Sequence, residues 1–236
     1  MTDLEKIKKI IVRGDYKKSI DKLNVILSLD NNNIDAMYLL AVSQEKLNDY
    51  KNAIKTYKDL IAIQKNYNFY DNLGKIYLKL NEFKTARKYF SDSLRANPKN
   101  ADIHNTLGIA FAMENMEDLA VKHFLNASEI NQDFLDPIYN LLEMYEKTNK
   151  FNALKNLVKQ KIKLFPSDQI IIFYQSYIFE KDNKLDLALN SLRKIDFSKI
   201  NIEWEVKAKF RIANLYHKSK NYSKAFKYFN HANKII

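Results

Sequence analysis

A single spacing governs what this chain can fold into. The segment Gly14-Asp15-Tyr16-Lys17-Lys18-Ser19-Ile20 returns as Asn48-Asp49-Tyr50-Lys51-Asn52-Ala53-Ile54 and as Asn81-Glu82-Phe83-Lys84-Thr85-Ala86. Near the end it returns again as Asn221-Tyr222-Ser223-Lys224-Ala225-Phe226. Its small-residue slot runs Ser19, Ala53, Ala86, Ala120, Leu154, Ala188 and Ala225, in steps of 34, 33, 34, 34, 34 and 37 residues. Four residues after each slot stands a large side chain: Leu23, Tyr57, Phe90, Phe124, Val158, Leu192 and Phe229. Nine residues before it stands another: Ile10, Gln44, Tyr77, Phe111, Tyr145, Phe179 and Tyr216. A fixed period of this length marks a chain built from stacked supersecondary units, none of which can bury its apolar face alone.

Only three Gly and three Pro occur in 236 residues, which argues for helices joined by short turns and against a sandwich or barrel. The best unit is Tyr70-Asp71-Asn72-Leu73-Gly74-Lys75-Ile76-Tyr77, followed by Ala86, Phe90 and Pro98; the next carries Leu107-Gly108, Phe111, Ala120, Phe124 and Ala127. On these residues, and in seven matches of one register, the chain resembles the tetratricopeptide-repeat family along essentially its whole length. The resemblance implies an all-α fold, an α-solenoid with a right-handed superhelix of about seven helical hairpins. Taken as a single array over 1–236, its units fall at approximately 1–33, 34–66, 67–100, 101–134, 135–168, 169–205 and 206–236.

Packing explains the spacing. A small residue at the slot lets the second helix of a unit lie close to the first. Gly74 and Gly108 do the same from the first helix, which accounts for a mid-helix glycine despite its cost of about 1 kcal/mol. Pro98 and Pro166 end second helices. Ser19 and Leu154 are off type at the slot, and Leu142 replaces the Gly-type residue of the first helix. The stretch Asp196-Phe197-Ser198-Lys199-Ile200-Asn201 lengthens the sixth unit ahead of Trp204, the only Trp, and predicts a longer loop or an extra turn, with a local change of superhelix pitch. At the start, Thr2 and Glu5 have the spacing of a capping box.

The net charge of +11 is unevenly placed. Residues 1–148 hold 21 basic and 21 acidic residues, whereas residues 149–236 hold 18 basic and 7 acidic ones. That asymmetry points to an acidic partner near the C-terminal end. The absence of Cys excludes disulfides and thiolate metal sites, and fits a reducing compartment. With no leader-like segment and no apolar run near the roughly 20 residues of a membrane span, the expected location is cytoplasmic, with no membrane partner.

Catalytic machinery is not visible. His104, His123, His217 and His231 lie in different units without metal-ligand spacing, and no G-x-S-x-G or phosphate-cradling glycine loop occurs. Glu143 and Glu146 read as a solvated face. No enzyme activity, metal or cofactor is expected.

The family resemblance implies a protein-interaction scaffold or adaptor that binds a peptide or partner protein along its concave groove, lined by the first helix of each unit. By position, the groove residues of units five to seven are Tyr139, Asn140, Phe173, Tyr174, Tyr177, Lys207, Phe210, Arg211 and Asn214. Aromatic and Arg side chains are the usual anchors of interfaces. Lys207 and Arg211 also match the last pair of the carboxylate clamp found in chaperone-tail adaptors. The other clamp positions are Tyr139, Glu143 and Tyr174, and Glu143 would repel a carboxylate, so that clamp is rejected. RNA binding is the competing reading of a basic, Tyr- and Phe-rich chain, but the positive charge does not recur once per unit.

The segment Tyr222 to Asn233 resembles the closing repeat that precedes the catalytic domain of bacterial tetratricopeptide-repeat sulfotransferases. That resemblance implies an alternative function, a substrate-recruiting module of a larger enzyme. The last helix shows Phe226, Tyr228, Ile235 and Ile236 without a polar cap, which suggests self-association or a continuing chain.

Overall fold

The computed structural model of the chain describes residues 2–235, so Ile236 of the apolar C-terminal ending lies outside the described residues. Fourteen α-helices and no strand occur among them. The chain divides into two compact units, Met1–Pro137 and Ile138–Ile236. The first contains α1 (Asp3–Val12), α2 (Tyr16–Leu29), α3 (Ile34–Lys46), α4 (Tyr50–Ile63), α5 (Tyr67–Lys79), α6 (Phe83–Ala96), α7 (Ala101–Met113) and α8 (Glu117–Ile130). The second contains most of α9 (Asp136–Lys147), then α10 (Phe151–Leu164), α11 (Gln169–Lys181), α12 (Leu185–Leu192), α13 (Ile202–Lys218) and α14 (Tyr222–Asn233). Consecutive helices pair as antiparallel hairpins, the α-solenoid arrangement of the repeat. No described helix is long and apolar enough to cross a membrane.

The turn inside every hairpin is made the same way. A residue with positive φ ends the first helix: Gly14 at 82°, Asn48 and Asn81 at 60°, Asn115 and Asn183 at 58°, Asn149 at 54° and Lys220 at 58°. The next amide then reaches back to the carbonyl five residues earlier, as from Asp49 to Gln44 (2.9 Å), Met116 to Phe111 (2.9 Å) and Lys184 to Phe179 (2.8 Å). This closure satisfies carbonyls that the ending helix leaves unpaired. Gly and Asn take the left-handed conformation at low cost, whereas Lys does not. Replacing Lys220 by Asn is therefore expected to stabilise the second unit by about 0.5–1 kcal/mol. Thermal unfolding followed by circular dichroism checks this, and an unchanged or lower midpoint would contradict it.

Helix starts follow the caps the sequence supplies. The Thr2 hydroxyl accepts from the Glu5 amide while the Glu5 carboxylate accepts from the Thr2 amide, which is the expected capping box. Asp15 and Asp49 cap α2 and α4; Asn33, Asn100, Asp168 and Asn201 cap α3, α7, α11 and α13. Pro98 and Pro166 stand two residues beyond the ends of α6 and α10.

The slot residues form the seam of each hairpin. All seven are buried, with Ala225 the most exposed at 2%. A β-carbon at Gly74 would lie 2.6 Å from the Phe90 ring, and one at Gly108 would lie 2.6 Å from the Phe124 ring. Real β-carbons do not approach so closely, so each glycine is the space its phenylalanine occupies. The off-type Ser19 is satisfied, donating to the Tyr16 carbonyl (2.7 Å) and the Ser43 hydroxyl (2.8 Å). Leu142 and Leu154 are both fully buried, filling the fifth hairpin with aliphatic side chains where the third and fourth pair a glycine with an alanine.

Of the two forms expected for the lengthened sixth hairpin, the structure shows the extra turn. After the short α12, a 3-10 turn spans Phe197–Lys199, capped by Asp196, whose carboxylate accepts from the Ser198 amide at 3.1 Å. The chain then enters α13, placing Trp204 edge-on against Phe173 and Tyr174 at centroid distances of 5.4 and 5.9 Å.

Candidate partner-binding site

Within the second unit, α11 and α13 lie side by side as the first helices of successive hairpins. Between them opens a cavity of about 490 Å³. Phe173 and Tyr177 line it from α11, and Lys207, Phe210, Arg211 and Asn214 from α13. Six of the nine residues expected in the groove are thus brought together. The other three take different places. Tyr174 is 1% exposed, beneath Phe173 and Trp204, and contributes packing. Its phenol is held above its ordinary pKa by burial first, and then by Glu146 and Glu143. Phe173, at 4% exposure, offers the cavity little more than a ring edge. Tyr139 and Asn140 do not line the cavity; the Tyr139 hydroxyl donates to the Asp168 carboxylate at 2.5 Å, joining α9 to the cap of α11.

Arg211 organises the site. Its guanidinium lies 4.2 Å from the centroid of Phe173 and 4.5 Å from that of Tyr177, and its Nη2 donates to Glu146 Oε1 at 2.9 Å. The Arg211 Nη1 is buried without a hydrogen-bond partner among the described residues. One turn earlier on α13, Lys207 bridges Glu143 (2.5 Å) and Glu203 (2.8 Å) and lies 4.4 Å from the Trp204 ring. Burial works against the Lys207 charge, but the hydrogen bonds to Glu143 and Glu203 outweigh it and raise its pKa. Glu180, also on the cavity wall, pairs with Lys218 at 2.5 Å.

These pairs revise two readings of the sequence. Glu143 and Glu146 are half-buried partners of α13 rather than a solvated face. The cations expected to attract an acidic ligand are neutralised from α9, so the positive excess of the last third does not gather in this cavity. Lys207 bound to Glu143 also leaves no place for a carboxylate clamp. Glu146, Lys181 and Val206 line the cavity without having been singled out for it. No short-range signal marks Glu146, because its partner lies 65 residues away.

The first unit brings together two histidines that the sequence separates. His104 and His123 approach with their Nδ1 atoms 3.0 Å apart, and Phe111 stacks on His123 at 5.3 Å. His104 Nε2 lies 3.3 Å from the Pro98 carbonyl, which can only accept. His104 therefore carries its proton on Nε2, and His123 donates from Nδ1 to His104 Nδ1. Burial, then the neighbouring His104 and Lys122, lower the His123 pKa to about 4. No group of three or more potential metal ligands occurs among the described residues.

Comparison with known proteins agrees with this architecture. Sequence profiles of the tetratricopeptide repeat match residues 35–66, 68–100 and 206–236. Among curated proteins none matches significantly. The C-terminal part of a TPR repeat-containing protein from Cytophaga hutchinsonii superposes with a TM-score of 0.74 at 15% identity, covering 99% of this chain and 95% of that one. A tetratricopeptide repeat protein from Parabacteroides merdae gives 0.71 at 14% identity, over 98% and 91% of the two chains. YrrB, a TPR protein with an unusual peptide-binding site, gives 0.57 at 18% identity, over 70% and 86%. At these identities the likeness to the solved structures is one of fold. Three stretches of the chain thus match the tetratricopeptide repeat, and its fold is that of solved tetratricopeptide-repeat proteins.

Proposed function

We propose that the chain is a protein-interaction module whose second unit holds a peptide or a partner segment in the cavity between α11 and α13. The observation that carries this reading is the cavity itself. It is open, about 490 Å³ in volume, and walled by Tyr177 and Phe210 with Arg211 and Asn214 beside them. Rigid aromatic surface next to a guanidinium is the composition of interface hot spots. Because Lys207 and Arg211 are already paired, the recognition rests on apolar contact and hydrogen bonding more than on net charge.

The test is a selection of displayed random peptides against the intact chain, followed by calorimetric titration of the enriched sequences. Tyr177→Ala removes a wall, and Asn214→Arg fills the opening from an exposed position. Both are expected to weaken binding at least tenfold with helicity unchanged. Affinity unaltered in both variants would place the site elsewhere.

A further inference from the structure

The hairpin of α1 and α2 has one face covered and one open. On the covered side, Ile7 and Leu23 pack against Ala36 and Leu40 of α3, so a helix already fits into one groove of this hairpin. The open side holds a cavity of about 790 Å³. Its floor is apolar, built from Ile7, Ile10, Val25 and Ile26; Val25 is 62% exposed. Leu29, one turn beyond Val25 on the same stripe of α2, is 87% exposed.

The rim is basic. Lys6, Lys9, Arg13, Lys18 and Lys22 line it, and Asp3 is the only acid that does. Asp3 is taken by Lys6 at 3.0 Å. None of Lys9, Arg13, Lys18 and Lys22 has a salt bridge among the described residues. This differs from the cavity of the second unit, where Lys207 and Arg211 are paired to carboxylates. The neutral total of residues 1–148 conceals it, since Glu5, Asp15, Asp21 and Asp30 of the same hairpin do not line the cavity.

We infer that this open face of α1 and α2 is a docking groove for an acidic amphipathic helix of a partner protein. The groove runs the length of α1, about 15 Å, which accommodates roughly three helical turns. An incoming helix would set its apolar stripe on Ile10, Val25 and Ile26, and its carboxylates against Lys9, Arg13, Lys18 and Lys22. Cations and apolar side chains alternate along the groove, so the partner helix presents an apolar stripe flanked by acids along its length. Charge argues against a second copy of this chain as the occupant. The exposed rings Tyr222 and Phe226 on α14 lie among Lys224 and Lys227 on a helix that has no acid.

The experiment is a differential selection from a displayed library of helical peptides, with the intact chain as bait and a Lys9→Glu/Lys22→Glu chain as counter-bait. Both lysines are exposed and without salt bridges, so the variant keeps its fold. Expected is enrichment of peptides with apolar residues at i, i+3, i+4 and i+7 flanked by Asp and Glu. Their affinity should fall at least tenfold in the lysine variant and in Val25→Asp, weaken with salt, and stay unchanged in Asn214→Arg. That last variant separates this groove from the cavity of the second unit. Four results would each overturn the inference: no differential enrichment, enriched peptides without acidic residues, sedimentation with phosphatidylserine vesicles that the lysine variant abolishes in place of peptide binding, or a concentration-dependent dimer that Val25→Asp abolishes.

Discussion

Phe124→Ala is expected to remove about 3–5 kcal/mol of stability, the usual loss for a fully buried phenylalanine. Phe124 is 1% exposed, and its ring fills the space where Gly108 has no side chain. Deleting the ring leaves a hole facing a glycine, with no neighbouring side chain able to fill it. The converse change is also costly. Gly108→Ala places a β-carbon against that ring and is expected to cost about 1–3 kcal/mol by overpacking, despite the better helix propensity of alanine. The two substitutions should therefore be strongly coupled. In the Phe124→Ala background, Gly108→Ala has room and should stabilise, partly refilling the hole. Urea unfolding of the four chains measures the cycle. Additive effects would mean that the glycine and the ring do not share one space.

The second large effect is expected at Arg211. Its side chain is 14% exposed, stacks on Phe173 and Tyr177, and pairs with Glu146. Arg211→Ala leaves Glu146 partly buried without its cation and strips two rings of their cover. A loss of about 2–3 kcal/mol is expected, below the range for a fully buried pair because Glu146 keeps 32% of its side-chain surface in solvent. Arg211→Lys should recover only part of it, since an ammonium cannot lie flat on two rings while meeting a carboxylate. Arg211→Met with Glu146→Gln should recover most, since no charge is then left unpaired. If Arg211→Ala is as stable as wild type, the guanidinium is not an organising element of this unit. Thermal unfolding gives the stabilities, and peptide titration on the same variants separates a lost contact from a lost fold.

The spacing of Ser19 through Ala225 determined the helices, the seven hairpins and the residues that seam them. These depend on side chains three, four and nine places apart, and every unit restates them. Gly74 and Gly108 could be read as close-approach sites for the same reason. The Asn residues at 48, 81, 115, 149 and 183 recur at one register, and each proved to be the left-handed residue that ends a helix.

The candidate sites were decided by another length scale. Glu143 meets Lys207 and Glu146 meets Arg211 across 64 and 65 residues, and His123 meets His104 across 19. A few ångströms of helix rotation would exchange these partners without altering the repeat, so no periodicity encodes them. Phe173 and Tyr174 occupy positions that the family pattern assigns to a groove, yet Trp204 at the head of the lengthened α13 covers them. The charge count placed the positive surface in the last third of the chain. Packing pairs Lys207 and Arg211 of the candidate cavity with carboxylates of α9, whereas Lys9, Arg13, Lys18 and Lys22 on the open face of the first hairpin have no salt bridge among the described residues. Composition sums charges along the chain, whereas a partner meets only those that no neighbouring helix has already paired.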